Sequence, residues 1–292
     1  MEVTVVRRRD ASYPPLLAQL HDPPACIHLR GDADVDVLVR PCVAVVGARS
    51  CSPYGADVAR MLGRELAATG LVVVSGLARG IDGEAHRGAL AGEGSTIAVL
   101  GCGIDRDYPR SHAWLARRIC QTGLLVSEYP PGVEPAPWRF PARNRIIAGL
   151  CAATVVVEAR ERSGALITAD FALELGRDVF AVPGEITAAR SAGTNHLLRQ
   201  GAAPLLGVED VLDAIGVDRA PAAKPQVNVS PDGARVLEAL ADGPRGADEL
   251  ARMCGWSSAQ IAATLVELEL AGVISEAGGV YRCRPDRPVL AR

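Results

Sequence analysis

The sequence predicts an α/β protein built on a doubly wound parallel sheet, with a small winged-helix domain after it. Short apolar runs alternate with helical segments from residue 41 to residue 215, which is the pattern of a parallel sheet covered by helices. A stretch with three prolines then interrupts the pattern, and three helical segments and a hairpin follow it. These observations together predict the two parts of the fold.

Six apolar runs predict the strands of the sheet. Each is short and rich in β-branched residues, and most stop at or near a glycine, as buried parallel strands do. The runs are CVAVVG (42–47), LVVVSG (71–76), TIAVLG (96–101), GLLVSEY (123–129), ATVVVEA (153–159) and DVFAVPG (178–184).

Helical segments separate these runs. The first has Ser52 as a plausible N-cap, Pro53 in its first turn and Gly70 as its terminator. The others are expected near 83–92, 110–121, 143–150 and 164–176.

The domain organisation follows from changes in composition. Residues 1–40 are short elements broken by prolines, and we interpret them as an N-terminal extension packed on the main domain at 41–215. Residues 216–233 form a proline-rich linker. Residues 234–292 predict three helices and a hairpin that turns at Gly-Gly, which is the arrangement of a winged helix.

The composition excludes several classes of protein. The chain is 49% hydrophobic and 22% charged, with a formal net charge of -3, so any anion site must be a local patch. Its eight cysteines include no CxxC spacing, so we expect neither a zinc site nor a disulfide framework. No signal peptide or membrane span is predicted, and we expect a cytoplasmic protein with no cofactor.

Two loops at predicted strand ends bring arginines to the edge of the sheet where α/β proteins bind ligands. In VVGARSCSPYG, Gly47 is followed by Arg49 at the second glycine position of a dinucleotide motif, and Ser50 comes next. Arg49 would block a pyrophosphate there, so it either grips a phosphate itself or is a solvated loop charge. In LGCGIDRDYPRSH, Arg106 and Arg110 add charge at another strand end.

The loop SGLARGIDGEAH is rich in glycine and follows the second predicted strand. Gly76 and Gly80 allow a tight turn whose exposed amides could form a nest for an anion. Asp82, Glu84 and His86 could suggest a metal site, but Asp82 fits better as the N-cap of the following helix.

The segment WRFPARNRIIAGL combines arginines with aromatic residues and contains no acid. Arg143 and Asn144 fall in the first turn of the predicted helix, where a positive charge opposes the helix dipole unless an anion docks there. Arg145 adds a further charge, and Phe140 can stack on a base. A positive groove with an aromatic platform is typical of sites for single-stranded nucleic acid, although a solvated helix start would show the same residues.

The loop ARERSG and the helix after it offer Ser163, Gly164 and Thr168, which are suitable either as phosphate donors or as simple helix caps. An enzyme remains an alternative, because Glu128 and Glu158 at two strand ends could form the acid/base pair of a nucleotide hydrolase. No G-x-S-x-G motif supports a serine nucleophile.

Long motifs in collinear order over residues 10–215 resemble the DNA-processing protein A family, also called Smf. They are VAVVGARSCSPYG, SGLARGIDGEAHRGAL, LGCGIDRDYP, SEYPPG, FPARNRIIAGL, EARERSGALITADFALELGRDVFAVPG and SAGTNHLLRQGA. The resemblance implies an extended Rossmann-like domain that binds single-stranded DNA, forms a homodimer and loads RecA onto incoming DNA in natural transformation, without an enzymatic activity. It also implies a DNA pocket made by Gly47, Arg49, Ser50, Arg110, Phe140, Arg143, Asn144, Arg145, Ser163, Gly164 and Thr168.

The C-terminal residues resemble the winged-helix domain of the same family, but their charges are unusual for a DNA reader. The third predicted helix, SSAQIAATLVELELAGVI, has no basic residue and two glutamates. A helix that reads duplex DNA carries Arg or Lys toward phosphates and bases. We therefore expect this domain to contact a protein or the main domain, with positive charge only in the wing YRCRPDR. A duplex-DNA regulator remains the alternative that rests on the winged helix alone.

Overall fold

A computed structural model describes residues 3–217, 226–227, 229–284 and 289–290. The chain divides into two compact units, Met1–Ala220 and Pro221–Arg292. In the part of the chain that is described, no helix combines the length and the apolar character that crossing a bilayer requires.

The first unit is a nine-stranded, mostly parallel sheet, so the predicted α/β fold is confirmed. The strands are β1 (Thr4–Arg7), β2 (Cys26–Arg30), β3 (Cys42–Val46), β4 (Val72–Ser75), β5 (Thr96–Leu100), β6 (Leu124–Ser127), β7 (Ala153–Val156), β8 (Asp178–Ala181) and β9 (Ala203–Pro204). Their spatial order is β1-β2-β6-β5-β4-β3-β7-β8-β9. The chain moves outward in one direction from β3 to β6 and in the other from β7 to β9, so the topological switch point lies between β3 and β7.

The N-terminal extension takes part in this sheet. β1 pairs antiparallel with β2, and β2 pairs antiparallel with β6. The two strands therefore lengthen the parallel sheet at one end. The sequence predicts an extension packed on the domain, but it does not predict these strands.

Seven helices cover the sheet within residues 3–217. They are α1 (Pro53–Ala68), α2 (Ile81–Ala91), α3 (Ala113–Thr122), α4 (Arg139–Leu150), α5 (Gly164–Glu174), α6 (Ala192–Arg199) and α7 (Val208–Ile215). One core cluster joins α4, α5 and α6 to the sheet, and a second joins α1, α2 and α7 to it. The helices thus lie on both faces, as a doubly wound sheet requires.

The N-termini of two helices can be compared with those that the sequence predicts. Ser52 caps α1, because its side chain accepts a hydrogen bond from the Gly55 amide at 3.0 Å, as predicted. Helix α4 begins at Arg139, so the predicted start at residue 143 is wrong by four residues. Arg143 therefore lies in the second turn of α4 and not at its N-terminus.

The second unit contains three helices and a small sheet among residues 229–284. The helices are α8 (Pro231–Ala239), α9 (Ala247–Cys254) and α10 (Ser258–Leu270). The strands β11 (Arg245–Gly246), β12 (Ile274–Ala277) and β13 (Val280–Cys283) form the sheet in the order β11-β13-β12. Gly278 and Gly279 turn the hairpin with φ of 64° and 80°, which glycine adopts without strain.

Parts of the predicted linker and wing fall outside the described residues. These are 218–225 and 228 of the linker, and 285–287 of YRCRPDR. The predicted linker ends too late, because α8 already begins at Pro231. Two further short strands, β10 (Gln226–Val227) and β14 (Val289–Leu290), pair in parallel.

Candidate nucleic-acid interface

The loops at the carboxyl ends of the strands surround two adjacent clefts. The first has a volume of about 310 Å³ and lies between the loop after β3, helix α4 and the start of α5. The second has a volume of about 270 Å³ and lies between the loops after β4 and β5 and helix α4. Arg49, Ala78, Phe140 and Arg143 line both clefts, so these four residues form the boundary between them.

Arginine dominates the charge of both clefts. The first is lined by Arg49, Arg143, Arg160 and Arg162, and the second by Arg49, Arg79, Arg110 and Arg143. Asp82 is the one acid among the residues lining the two clefts in the described part of the chain, and it is buried. The clefts therefore form the local positive patch that a chain of negative net charge needs to hold an anion.

An aromatic stack stands at the boundary between the clefts. The ring of Phe140 stacks on that of Tyr108, with centroids 5.2 Å apart and planes inclined by 24°. The guanidinium of Arg49 lies over Phe140 at 5.6 Å from the ring centroid. Flat surfaces and cations thus occur together at one place, which suits a base joined to a phosphate.

Arg143 does not lie in the first turn of its helix, where the sequence predicts it. Its side chain is 5% exposed, and its Nη1 donates hydrogen bonds to the carbonyl oxygens of Gly76, at 2.9 Å, and Val99. Burial lowers the pKa of Arg143 to about 10, and the nearby Asp82 opposes this shift. The prediction that Arg143 lies at a helix N-terminus is therefore wrong: its side chain reaches back under the cleft floor and donates to two strand ends.

Asp82 occupies the amide nest predicted in the glycine-rich loop. Its Oδ2 accepts hydrogen bonds from the amides of Gly76, at 3.1 Å, and Ala78, at 3.3 Å. Gly80 is the residue before α2, so Asp82 is not the N-cap. Burial raises the pKa of Asp82, while Arg143 lowers it. The chain thus supplies its own anion to this nest.

Gly76 separates the two buried charges. A Cβ atom on Gly76 would lie 2.5 Å from Arg143 Nη2 and 2.8 Å from Asp82 Oδ2. A residue with a side chain at this position would displace the guanidinium of Arg143 or the carboxylate of Asp82. Arg143, Asp82 and Gly76 therefore fix the loop after β4 to the carboxyl end of β5.

The remaining predicted residues of α4 and α5 lie together at the first cleft. Asn144 Nδ2 donates to the Gly164 carbonyl at 2.9 Å, which ties α4 to the start of α5. Ser163 caps α5 through the Ala165 amide at 3.4 Å, and Thr168 is buried one turn further on. All four residues line the first cleft.

Packing at Gly47 and a hydrogen bond from Arg190 fix the backbone of the loop after β3. A Cβ on Gly47 would lie 2.7 Å from Ile81 Cγ1 and 2.9 Å from the Glu158 carbonyl oxygen, so only glycine fits there. Arg190 donates to the carbonyl of Ser50 at 2.9 Å. The backbone of this loop is therefore fixed, while the side chain of Arg49 stays exposed above it.

Two predicted cations line neither cleft. Arg145 pairs with Glu128 at 2.6 Å and lines neither cleft, so ten of the eleven predicted pocket residues come together and Arg145 does not. Arg106 pairs with Glu134 at 2.7 Å. Both arginines are neutralised by these acids.

The groups that suggested catalysis or metal binding have structural partners. Glu158 accepts hydrogen bonds from the Ser52 amide, at 2.9 Å, and from its hydroxyl, and Glu128 holds Arg145. His86 is buried with its Nδ1 2.8 Å from Thr96 Oγ1, and burial lowers its pKa to about 3. Among the described residues, no cluster of three or more His, Cys, Asp or Glu side chains could hold a metal.

Four residues of the clefts escaped the sequence prediction. Arg79, Tyr108, Arg160 and Arg162 lie in the loops that the sequence singles out, next to residues that it selects. Their position on loops at strand ends is the feature of the sequence that could have identified them. The stacking of Tyr108 on Phe140 depends on how two distant loops approach each other, and no local pattern shows it.

Comparison with known proteins agrees with this geometry. Residues 4–216 match the family model of DNA recombination-mediator protein A, and residues 220–279 match the DprA winged helix domain. The chain is 47% identical to DNA processing protein DprA of Streptococcus pneumoniae over 203 residues, or 70% of this chain and 71% of that protein. It is 41% identical to protein Smf of Escherichia coli over 279 residues, or 92% of this chain and 74% of that protein.

Two solved structures share the fold. The X-ray structure of DprA from S. pneumoniae has a TM-score of 0.69 and 44% identity, covering 73% of this chain and 74% of that one. The Helicobacter pylori protein, whose structure is described as giving insight into its single-stranded DNA binding mode, has a TM-score of 0.67 and 30% identity, covering 75% and 98%. The chain therefore belongs to the DNA recombination-mediator protein A family, also called DprA or Smf.

Proposed function

We propose that this protein binds single-stranded DNA without sequence preference at the two clefts, and that it loads RecA recombinase onto the bound strand during natural transformation. The observation that carries the first part is the boundary between the clefts, where Arg49 and the stacked rings of Phe140 and Tyr108 stand above a cation-lined floor. Phosphates bind to arginines and any base can stack on an aromatic face, so this pairing favours a single strand of any sequence.

The roles within the site divide into contact and positioning. We assign contact with the strand to the exposed side chains of Arg49, Ser50 and Arg110, to the half-buried ring of Phe140, and to the start of α5 at Ser163 and Gly164. Gly47, Arg143, Asn144 and Thr168 hold the loops in place. Arg145 keeps a role through its pair with Glu128, which orients the outer side of α4.

The H. pylori relative supports this proposal, because its solved structure is described in terms of single-stranded DNA binding. The test is a gel shift with labelled oligothymidylate and the variant Arg49→Ala/Phe140→Ala. The proposal predicts that affinity falls by at least about tenfold, since a stacked base and a phosphate contact are both lost. A folded variant with unchanged affinity would contradict it.

Family membership supports the delivery of RecA. We propose that the protein acts as a cytoplasmic homodimer with no enzymatic activity. Two large apolar side chains of the first unit, Ile186 at 95% and Leu206 at 82% exposure, are candidates for a covered surface between copies. The test for loading is RecA strand exchange on DNA coated with single-strand-binding protein, which this protein should accelerate. Base release from nucleotides incubated with it would instead support the hydrolase alternative.

We propose that residues 41–215 bind DNA, that 216–233 link the units and that 234–292 contact a protein. The exposed side of α10 carries Val266 and Leu270, the latter at 85% exposure, together with Glu269 and no basic residue. Such a face does not suit a phosphate backbone. Duplex DNA that competes as well as a single strand would support the regulator alternative.

A further inference from the structure

We infer that the single-strand track extends beyond the two clefts onto the exposed face of α3, where Trp114 is a further stacking platform for a base. This inference rests on the proposed function, because it names a second surface for the same ligand. The juxtaposition that carries it is an exposed tryptophan among arginines, directly after the wall of the second cleft.

The chain connects the cleft to α3 without a break. Residues 108–111 line the second cleft, and Arg110–His112 form a 3₁₀ turn that runs into α3 at Ala113. Trp114 lies four residues after Arg110, or about 6 Å further along a helical axis. A strand that leaves the second cleft past Arg110 therefore meets Trp114 next.

The exposed face of α3 has the chemistry of a nucleic-acid surface. Trp114 is 59% exposed, although a large aromatic side chain is normally covered. Arg118 lies over its ring at 5.5 Å from the centroid, and Arg117 is exposed one turn from Trp114. Leu115, Ala116, Ile119 and Cys120 face the core, so the helix needs neither the tryptophan nor these arginines for packing.

The charges favour a nucleic acid over an acidic protein as the occupant. Helix α3 contains no acid, and the nearby Asp107 is already paired with Arg30. Arg117 forms no ion pair in the part of the chain that the structure describes. The surface continues the positive charge of the second cleft, and a flat exposed ring beside guanidinium groups binds bases together with phosphates.

The test compares two lengths of oligothymidylate in the full chain. A strand of about 6 nucleotides fits the clefts, while one of about 20 nucleotides also reaches α3. Trp114→Ala should lower the affinity for the longer strand at least about fivefold and leave the affinity for the shorter strand unchanged. Trp114→Phe should retain most of the affinity for the longer strand. The logarithm of the binding constant falls linearly with the logarithm of the salt concentration. For the longer strand, Arg117→Ala/Arg118→Ala should make this slope less steep by about 1.4, because two phosphate contacts are lost.

The control is Arg40→Ala, which removes an exposed arginine at the opposite end of the strands, just before β3. This variant should bind both lengths of strand with the affinity of the wild type. A second readout uses fluorescence. Of the three tryptophans, Trp138 and Trp256 are replaced by Phe, so that Trp114 alone reports. The longer strand should quench this signal, and a strand without bases should not.

The outcomes separate the two proposals. If wild-type protein binds neither length, the proposed function itself fails. A different result is that wild-type protein binds both lengths while Trp114→Ala leaves both affinities unchanged or lowers them equally. That result would overturn the extension onto α3 but not the proposal that the clefts bind the strand. Equal quenching by a strand without bases would overturn the stacking role of Trp114.

Discussion

Replacing Arg143 with alanine tests whether this arginine positions the site or contacts the ligand. Its guanidinium is buried, donates to the carbonyls of Gly76 and Val99, and faces Asp82 across Gly76. Arg143→Ala removes these donors and leaves the carboxylate of Asp82 buried without a cation. We therefore expect a large loss of stability in the first unit.

The expected magnitude follows from the buried groups that Arg143 satisfies. Its removal leaves the carbonyl oxygens of Gly76 and Val99 without this donor and the neighbouring Asp82 without its compensating charge, and each unsatisfied buried group costs about 1–3 kcal/mol. Asp82→Asn in the Arg143→Ala background should recover part of this loss, with a coupling energy of about 1–3 kcal/mol. Arg49→Ala, by contrast, removes an exposed side chain and should change the free energy of unfolding by about 0.5 kcal/mol or less.

The assay is urea denaturation of the full chain, followed by circular dichroism and by single-strand affinity at zero denaturant. The two units can unfold separately, so the transition of the first unit is analysed by itself. Arg143→Ala should lower its midpoint strongly, while Arg49→Ala should weaken DNA binding at an unchanged midpoint. If Arg143→Ala unfolds like the wild type and only loses DNA affinity, Arg143 is a direct ligand and the positioning role is refuted.

Three further predictions concern stacking, helix packing and pH. Phe140→Ala should weaken oligothymidylate binding by about fivefold or more while Phe140→Tyr should not, as measured by fluorescence anisotropy. Equal affinities of Phe140→Ala and the wild type would contradict the stacking of a base on Phe140. Gly63→Ala should lower the melting temperature, because its Cβ would lie 2.2 Å from the Ala85 carbonyl between α1 and α2, whereas Gly164→Ala meets no atom within 4 Å and should not. Burial lowers the pKa of His86 to about 3, so the unfolded chain binds a proton below pH 6.5 that the native protein excludes. Stability should therefore fall as the pH decreases from 6.5 toward 3, by up to about 1.4 kcal/mol per pH unit relative to His86→Gln, and parallel urea midpoints for the two proteins would contradict this.

The parallel part of the fold was predictable from the sequence because each buried strand is a continuous apolar run that ends at a glycine or a polar residue. The runs at 42–47 and 96–101 contain the observed strands Cys42–Val46 and Thr96–Leu100. β1 and β2 were not predictable in the same way. β1 is the edge strand and β2 lies between it and β6, both pair antiparallel, and the segment that joins them contains prolines and only a short 3₁₀ turn.

The clefts were predictable as a set of loops, since parallel strands present their carboxyl ends at one edge. The role of each arginine was not. Arg49, Arg143 and Arg145 look alike in the sequence, yet one is exposed, one is buried under the loops and one is paired with Glu128. Arg143 lies within α4 and is buried, and tertiary packing, which no local pattern shows, decides which of the three arginines faces the core.

The most direct test of the central claim is a competition gel shift between single-stranded and duplex DNA of the same sequence. Labelled single strand is bound to the wild-type protein and to Arg49→Ala/Phe140→Ala. The account predicts that unlabelled single strand displaces the label at a concentration at least about tenfold below that of the duplex, and that the double variant loses binding while staying folded. Equal displacement by duplex, or a folded double variant that binds like the wild type, would contradict it.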